Sequence, residues 1–248
     1  MRWLQLMRGE LRKLTTTSMP WAFVVVLVVI AAINAAAIVL GTDADGSKDF
    51  IATAEDQLSL LAFGANAMVI TGLFGAIAVS REYGHGTVVQ TFLTTPRRTR
   101  AVLAQLAAVF VGGGALGLVG AGLLVITGAI SIPAIGYEFL LSAGTITRIL
   151  AVTVLAGGLG AVLGAGIGAL VRNTGGAVVG TVLMLVILPP LGTQLASGAA
   201  SWFPGILVIA LSGVVDDPGL PAAFLALAVW SLVPAVIGLI AVQKRDVV

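Results

Sequence analysis

The 248-residue sequence has no cysteine, which excludes a disulfide framework, a thiol nucleophile and a thiolate metal site. Charge is nearly as scarce. Asp, Glu, Lys and Arg make up 10% of the chain, against roughly 25% in soluble domains. That poverty excludes a soluble globular enzyme, a nucleic-acid-binding module and a disordered chain. There are three lysines, Lys13, Lys48 and Lys244. None follows a Gly-x-x-x-x-Gly run, so the sequence carries no phosphate-binding loop. The single histidine is His85, and Gly-x-Ser-x-Gly, His-Glu-x-x-His and Gly-Asp pairs are all missing. An enzyme reading therefore has almost no chemistry to stand on.

What the sequence has is apolar length. Apolar residues make up 58% of it and mean hydropathy is +1.10. The stretches free of Asp, Glu, Lys and Arg are 14–42, 57–80, 101–137, 149–171, 173–215 and 218–243. Each exceeds the ~20 residues a helix needs to cross ~30 Å of hydrocarbon. Their apolar runs are continuous, without the alternation of barrel strands. They predict an all-α membrane protein with six transmembrane helices near 21–40, 58–80, 103–126, 149–171, 175–193 and 221–242. Segment 127–137, with Pro133 and Gly136, is expected as an outer loop lying on the membrane. In 194–220 the apolar piece 205–215 is too short to cross, and the region is expected as an outer reentrant loop. A cleaved signal peptide competes for the N-terminus, but its apolar core would be only ~7–15 residues long.

Basic residues orient the spans. Eleven cations, among them Arg2, Arg8, Arg12, Lys13, Arg81, Arg97, Arg98, Arg100 and Arg172, fall on the side of both termini, against Lys48 and Arg148 on the other. The positive-inside rule puts both termini in the cytoplasm. The pI near 9.4 reflects these flanking cations rather than a nucleic-acid surface, since net charge is +2. None of the predicted spans contains an ionisable residue, which argues against a proton-driven pump.

Residues 2–14 predict an amphipathic helix in the headgroup plane, with Leu4, Met7, Leu11 and Leu14 on one face and Arg2, Gln5, Arg8 and Arg12 on the other. Segment 81–100 joins the second and third spans inside the cell. Gly84 and Gly86 allow a sharp exit, Thr87 is placed to cap a short helix, and Pro96 ends it. Val88, Phe92 and Leu93 share its apolar face between basic flanks, a knuckle suited to a groove on a soluble partner.

This segment resembles the cytoplasmic motif of ABC-2-type transporter permeases, the membrane subunits of ATP-driven exporters. Glu82, Tyr83, Gly86, Thr87, Pro96 and Arg98 match; the family's lysine position falls on Gln105. The resemblance implies a type V exporter-like architecture and a second permease copy, the same chain or a related one. It implies two ATPase subunits docked on Arg81, Glu82, Tyr83, Gly86, Thr87, Val88, Phe92, Leu93, Pro96, Arg97 and Arg98. ATP and Mg would be bound by those partners, with no cofactor in this chain. It also implies a plasma-membrane location and a central cavity lined by the second and fifth spans of two subunits. There Phe63, Asn66 and Ile70 would face Thr181, Met184 and Leu188, with Pro189-Pro190 bending the outer end of the fifth span. Such an apolar cavity with few hydrogen-bonding groups suits a drug, lipid or other amphipathic cargo.

Other readings of the same residues stay open. Gly160, Gly164 and Gly168 lie on one helical face, as do Gly113 and Gly117, and serve packing within one chain or between two. The few intramembrane polar residues, Asn34, Asn66, Thr71, Thr181 and Thr193, serve helix-to-helix hydrogen bonds or a cavity. Arg148 pairs with Glu138 or anchors a loop. For the whole chain, a membrane scaffold or immunity protein without transport, and an ion-coupled carrier, are the alternatives.

Overall fold

The computed structural model describes residues 3–43, 46–63, 67–84, 98–195 and 197–244, and among them every regular element is helical. The helices are α1 (Trp3–Thr15), α2 (Met19–Leu40), α3 (Ala54–Phe63), α4 (Ala67–Gly84), α5 (Arg98–Ala134), α6 (Ala143–Val171), α7 (Thr174–Val182), α8 (Leu188–Leu195), α9 (Pro204–Ser212) and α10 (Leu220–Lys244). Six helical stretches are long and apolar enough to cross a membrane: Met19–Leu40, Ala54–Gly84, Thr99–Ala134, Ala143–Val171, Thr174–Gln194 and Leu220–Lys244. The chain thus has the helices of a multi-pass membrane protein. They pass back and forth between an arginine-rich end, where Lys13 meets Glu82 and Gln243 meets Thr99, and an acidic end.

Local chemistry sets the boundaries. Pro20 opens α2 in its first turn, where a missing N–H costs nothing. The Ser142 hydroxyl caps α6 by accepting the Thr145 amide at 3.1 Å, and Asn173 caps α7 through the Gly176 amide at 3.2 Å. The short turn between α6 and α7 is made by Arg172, a non-glycine residue with φ of 56°.

The centre of the bundle is α6. Of its most apolar 18 residues 78% are buried, against 17% for α2. Three helices pack on α6 with almost no side chain between the backbones. A Cβ on Gly164 would sit 1.8 Å from the Gly72 carbonyl oxygen of α4, and one on Gly75 would sit 1.9 Å from the Ala161 oxygen. Gly113 and Gly117 of α5 approach the Gly157 and Thr153 carbonyls in the same way, each to 2.5 Å, and Gly166 approaches the Ala235 amide of α10 to 2.4 Å. Without a water-driven hydrophobic force inside lipid, such close van der Waals contact is what holds spans together. The glycine stripes therefore pack within one chain. The larger side chains fill the corners around them, Phe74, Val109 and Leu116 on the α2–α5 flank and Leu163, Leu207 and Leu227 on the α9–α10 flank.

One expectation needs correction. The third span does not stop near 126. Its helix runs to Ala134, and the outer loop expected at 127–137 shrinks accordingly. Pro133 lies in the last turn, and the helix is closed by Gly136 at φ 89°, with the Gly136 amide on the Pro133 carbonyl and the Tyr137 amide on that of Ile132. This is a glycine-ended C-terminus, so the proline and glycine terminate the helix instead of preceding a loop. The fifth span holds a feature that the sequence reading did not contain. A π-helical turn, Leu183–Ile187, precedes Pro189-Pro190, and the Leu188 amide reaches back to the Leu183 carbonyl. The wider turn makes room for two proline rings that an α-helical ladder would exclude. Arg148, read either as a partner of Glu138 or as a loop anchor, takes the second role. Its Nε donates to the Leu211 carbonyl at 2.9 Å, placing a cation at the C-terminal end of α9.

The segment after α8 forms a 3₁₀ turn, Ser197–Trp202, and then α9. Nine residues span only about 14 Å, too short to cross. Leu207, Val208, Ala210 and Leu211 of α9 are buried in the cluster shared with α6 and α10, and Trp230 of α10 donates to the Trp202 carbonyl at 2.8 Å.

Candidate functional site

The arginine-rich end gathers the chain's polar contacts into a collar around the last turn of α4. Lys13 of α1 lies 2.7 Å from Glu10 and 3.4 Å from Glu82. The side chains of Glu10 and Glu82 are mostly buried, whereas that of Lys13 is about half exposed. Gln105 of α5 also hydrogen-bonds to Glu82. Next along α4, the Tyr83 ring lies 5.3 Å beneath the Arg172 guanidinium. Arg172 in turn reaches the Ala241 carbonyl of α10 at 3.4 Å. One turn earlier, Ser80 donates to the Thr174 hydroxyl of α7 at 3.2 Å. Gln243 of α10 donates to Thr99 of α5 at 3.1 Å. The collar joins α1, α4, α5, α6, α7 and α10.

Burial pulls the Lys13 ammonium down, but its hydrogen bond to Glu10 and the charges of Glu82 and Glu10 outweigh that, so its pKa stands above the ordinary lysine value. Lys13 is therefore a fixed cation at neutral pH.

No protein-family model matches the sequence, and no curated protein does. The site has to be judged on its own geometry.

Of the residues expected to dock a partner, Arg81 is exposed on α4, while Glu82 and Tyr83 are half-buried and occupied within the chain. Arg98 opens α5. Gly86, Thr87, Val88, Phe92, Leu93, Pro96 and Arg97 lie outside the described residues. Two members of the collar escaped the sequence reading. Glu10 and Lys13 were left off both faces of the amphipathic helix, yet they turn inward with Leu14 against α4 and α5. Their i, i+3 spacing was the available signal. Gln105, at the position where the resemblance places a lysine, meets the same Glu82 as Lys13, which lies 92 positions earlier in the chain.

Within the single chain, the residues expected to line a cavity between two subunits point to different neighbours. Ile70 faces a cavity walled by α2, α3, α4 and α5, while Thr181 is fully buried on the other side of α4, where a Cβ on Gly72 would meet it and Leu185. Met184 packs against the core, and Leu188 is exposed. Asn66, and the side chain of Phe63, lie outside the described residues. The physical reason is the glycine stripe. Because α4 presses its small residues onto α6, its Ile70 face turns towards α2. Thr181 donates to the Ala177 carbonyl at 2.8 Å, Thr153 to Ile149 and Ser231 to Leu227. The donor of each such hydroxyl is taken up by its own helix, and all three side chains are buried.

At the acidic end, Gln57 of α3 is wholly buried. It donates to the Ile51 and Glu138 carbonyls at 3.0 and 2.8 Å and accepts the Leu140 amide at 2.9 Å. One side chain thus closes the two loops that cap the bundle there.

Proposed function

We propose that the chain is the membrane subunit of an ABC-2-type exporter, moving an amphipathic small molecule, drug, peptide or lipid out of the cytoplasm. Two ATPase chains would dock at the arginine-rich end, taken as cytoplasmic from the 11-to-2 cation split, and a second permease copy would complete the path. The observation that carries this reading is the collar. Segment 85–97, which resembles the family's docking knuckle, leaves α4 and enters α5 in the middle of a polar network tied to α1, α6, α7 and α10. A push on that segment acts on two helix ends already coupled to most of the bundle. Switching of access between the two sides follows from tilting α4 and α5 together. The wholly intrahelical satisfaction of Thr153, Thr181 and Ser231 adds to the case that an outside motor is required, because these spans hold no charged relay of their own.

Purification in mild detergent tests the reading. A stoichiometric soluble chain bearing a phosphate-binding loop should co-purify. Charge reversal at Arg98 or Glu82→Ala should uncouple ATP hydrolysis from transport while leaving the protein folded. Uphill transport by the purified chain alone, in liposomes without nucleotide, would refute it.

A further inference from the structure

Most polar side chains in the spans are satisfied by their own helix; Asn34 of α2 is not. Its Oδ1 is buried and has no hydrogen-bond partner among the described residues. In an apolar surrounding an unpaired amide oxygen costs about 1–3 kcal/mol. It lines a cavity of about 590 Å³ between α2, α3, α4 and α5, within the size range of small-molecule sites. Packing explains the space. Leu27 of α2 seats against Gly120 of α5, but α4 leans onto α6, so the side of α2 facing α3 and α4 is left unfilled.

The cavity is amphipathic along its length. Its α2 wall runs from Leu27 to Ala37, about 15 Å, or half of a ~30 Å hydrocarbon core. Deep in the bundle the walls are Leu27, Ile70, Gly120 and Leu124; towards the acidic end they carry Asn34, Asp56 and Ser59. Asn34 lies six residues before the end of α2 and Ser59 five after the start of α3, so both sit about 8–9 Å in from that end. One Asp56 oxygen is committed to the Thr53 capping box, but its negative charge stays at the mouth. No Lys or Arg lines the walls. The two cations of that end are turned away, Lys48 to the Ile38 and Val39 carbonyls and Arg148 to that of Leu211. Ile30 and Ile33 line the rim and are exposed, which makes the opening lateral, towards lipid.

We infer that this cavity binds an amphiphile with a primary ammonium head, its alkyl tail along α2 and its N–H groups on Asn34, Ser59 and Asp56. The inference goes beyond the exporter reading, because binding is measured on the chain alone, without ATPase or nucleotide.

The test is specific binding of radiolabelled dodecylamine to the purified chain in phosphatidylglycerol nanodiscs, counted over empty nanodiscs and compared with dodecanoate. Saturable binding of the amine, tighter than the carboxylate, is expected. Asn34→Leu should weaken it at least about tenfold while leaving thermal stability unchanged or raised, because it removes an unpaired oxygen. Asp56→Asn keeps an acceptor for the capping box and should lose the preference for amine. Equal binding of amine and carboxylate would overturn the inference. So would Asn34→Leu that binds normally.

Discussion

Substituting Gly164 by alanine tests the account of what holds the spans together. The added Cβ would lie 1.8 Å from the Gly72 carbonyl oxygen and 2.9 Å from the Ala76 nitrogen. Both are backbone atoms, so no side chain can swing away. Restoring an ordinary contact of about 3 Å or more requires α4 and α6 to part by about 1 Å, and a gap of 0.5–1 Å forfeits a quarter to a half of each dispersion well along the contact. Overpacking of this kind costs about 1–3 kcal/mol where neighbours can adjust; with backbone on both sides we expect about 3 kcal/mol. At roughly 2–4 °C per kcal/mol for a chain of this size, the melting temperature should fall by about 6–12 °C. The control is Gly122→Ala on α5, where nothing lies within 4 Å of the new carbon and helix propensity alone favours alanine. Thermal unfolding of both variants in the same detergent, followed by light scattering and intrinsic fluorescence, gives the comparison. Equal melting temperatures would refute the claim that backbone contact between α4 and α6 stabilises the bundle.

The other predictions follow from the polar ends of the bundle. Gln57→Leu leaves two carbonyls and one amide without their partner, and should cost about 2–4 kcal/mol in thermal unfolding while speeding hydrogen exchange at the Leu140 amide. Lys13→Ala strands the mostly buried Glu82 carboxylate and should cost about 1 kcal/mol, discounted because Lys13 is half exposed; in a Glu82→Gln background the same change should cost close to nothing. Since the Lys13 pKa is higher in the folded than in the unfolded chain, its contribution is complete below the ordinary lysine value and is lost as pH rises through the folded value. A pH titration of stability should accordingly show an alkaline decline that Lys13→Ala reduces.

Hydropathy made the number and rough position of the apolar helices legible, because membrane length imposes a requirement that composition alone reveals. Breaks and ends were less legible. Pro133 reads as a loop signal unless Gly136 is known to adopt a left-handed turn, and Pro189-Pro190 reads as a bend unless a π turn upstream absorbs it. The glycine stripes were visible in the sequence, but which partner each faces was not, since small residues at four-residue spacing fit any close neighbour. For the same reason Ile70 and Thr181, each plausible as a cavity residue from helical phase, landed on opposite sides of α4. The polar collar depends on contacts between residues as far apart as Lys13 and Glu82 or Gln243 and Thr99, which no local pattern encodes. Asn34 stood out in the sequence as a rare polar residue. That its oxygen lacks a partner is a property of the folded neighbourhood alone.

Backbones that interlock as α4, α5 and α10 do with α6 cannot slide without first lifting out of register, so these four helices form a stiff beam. The outlying first and fifth apolar helices grip that beam along one side only. Any mechanical stroke delivered at the arginine-rich end would swing the beam as a unit, and shear would concentrate along the seams where α2 and α7 meet it.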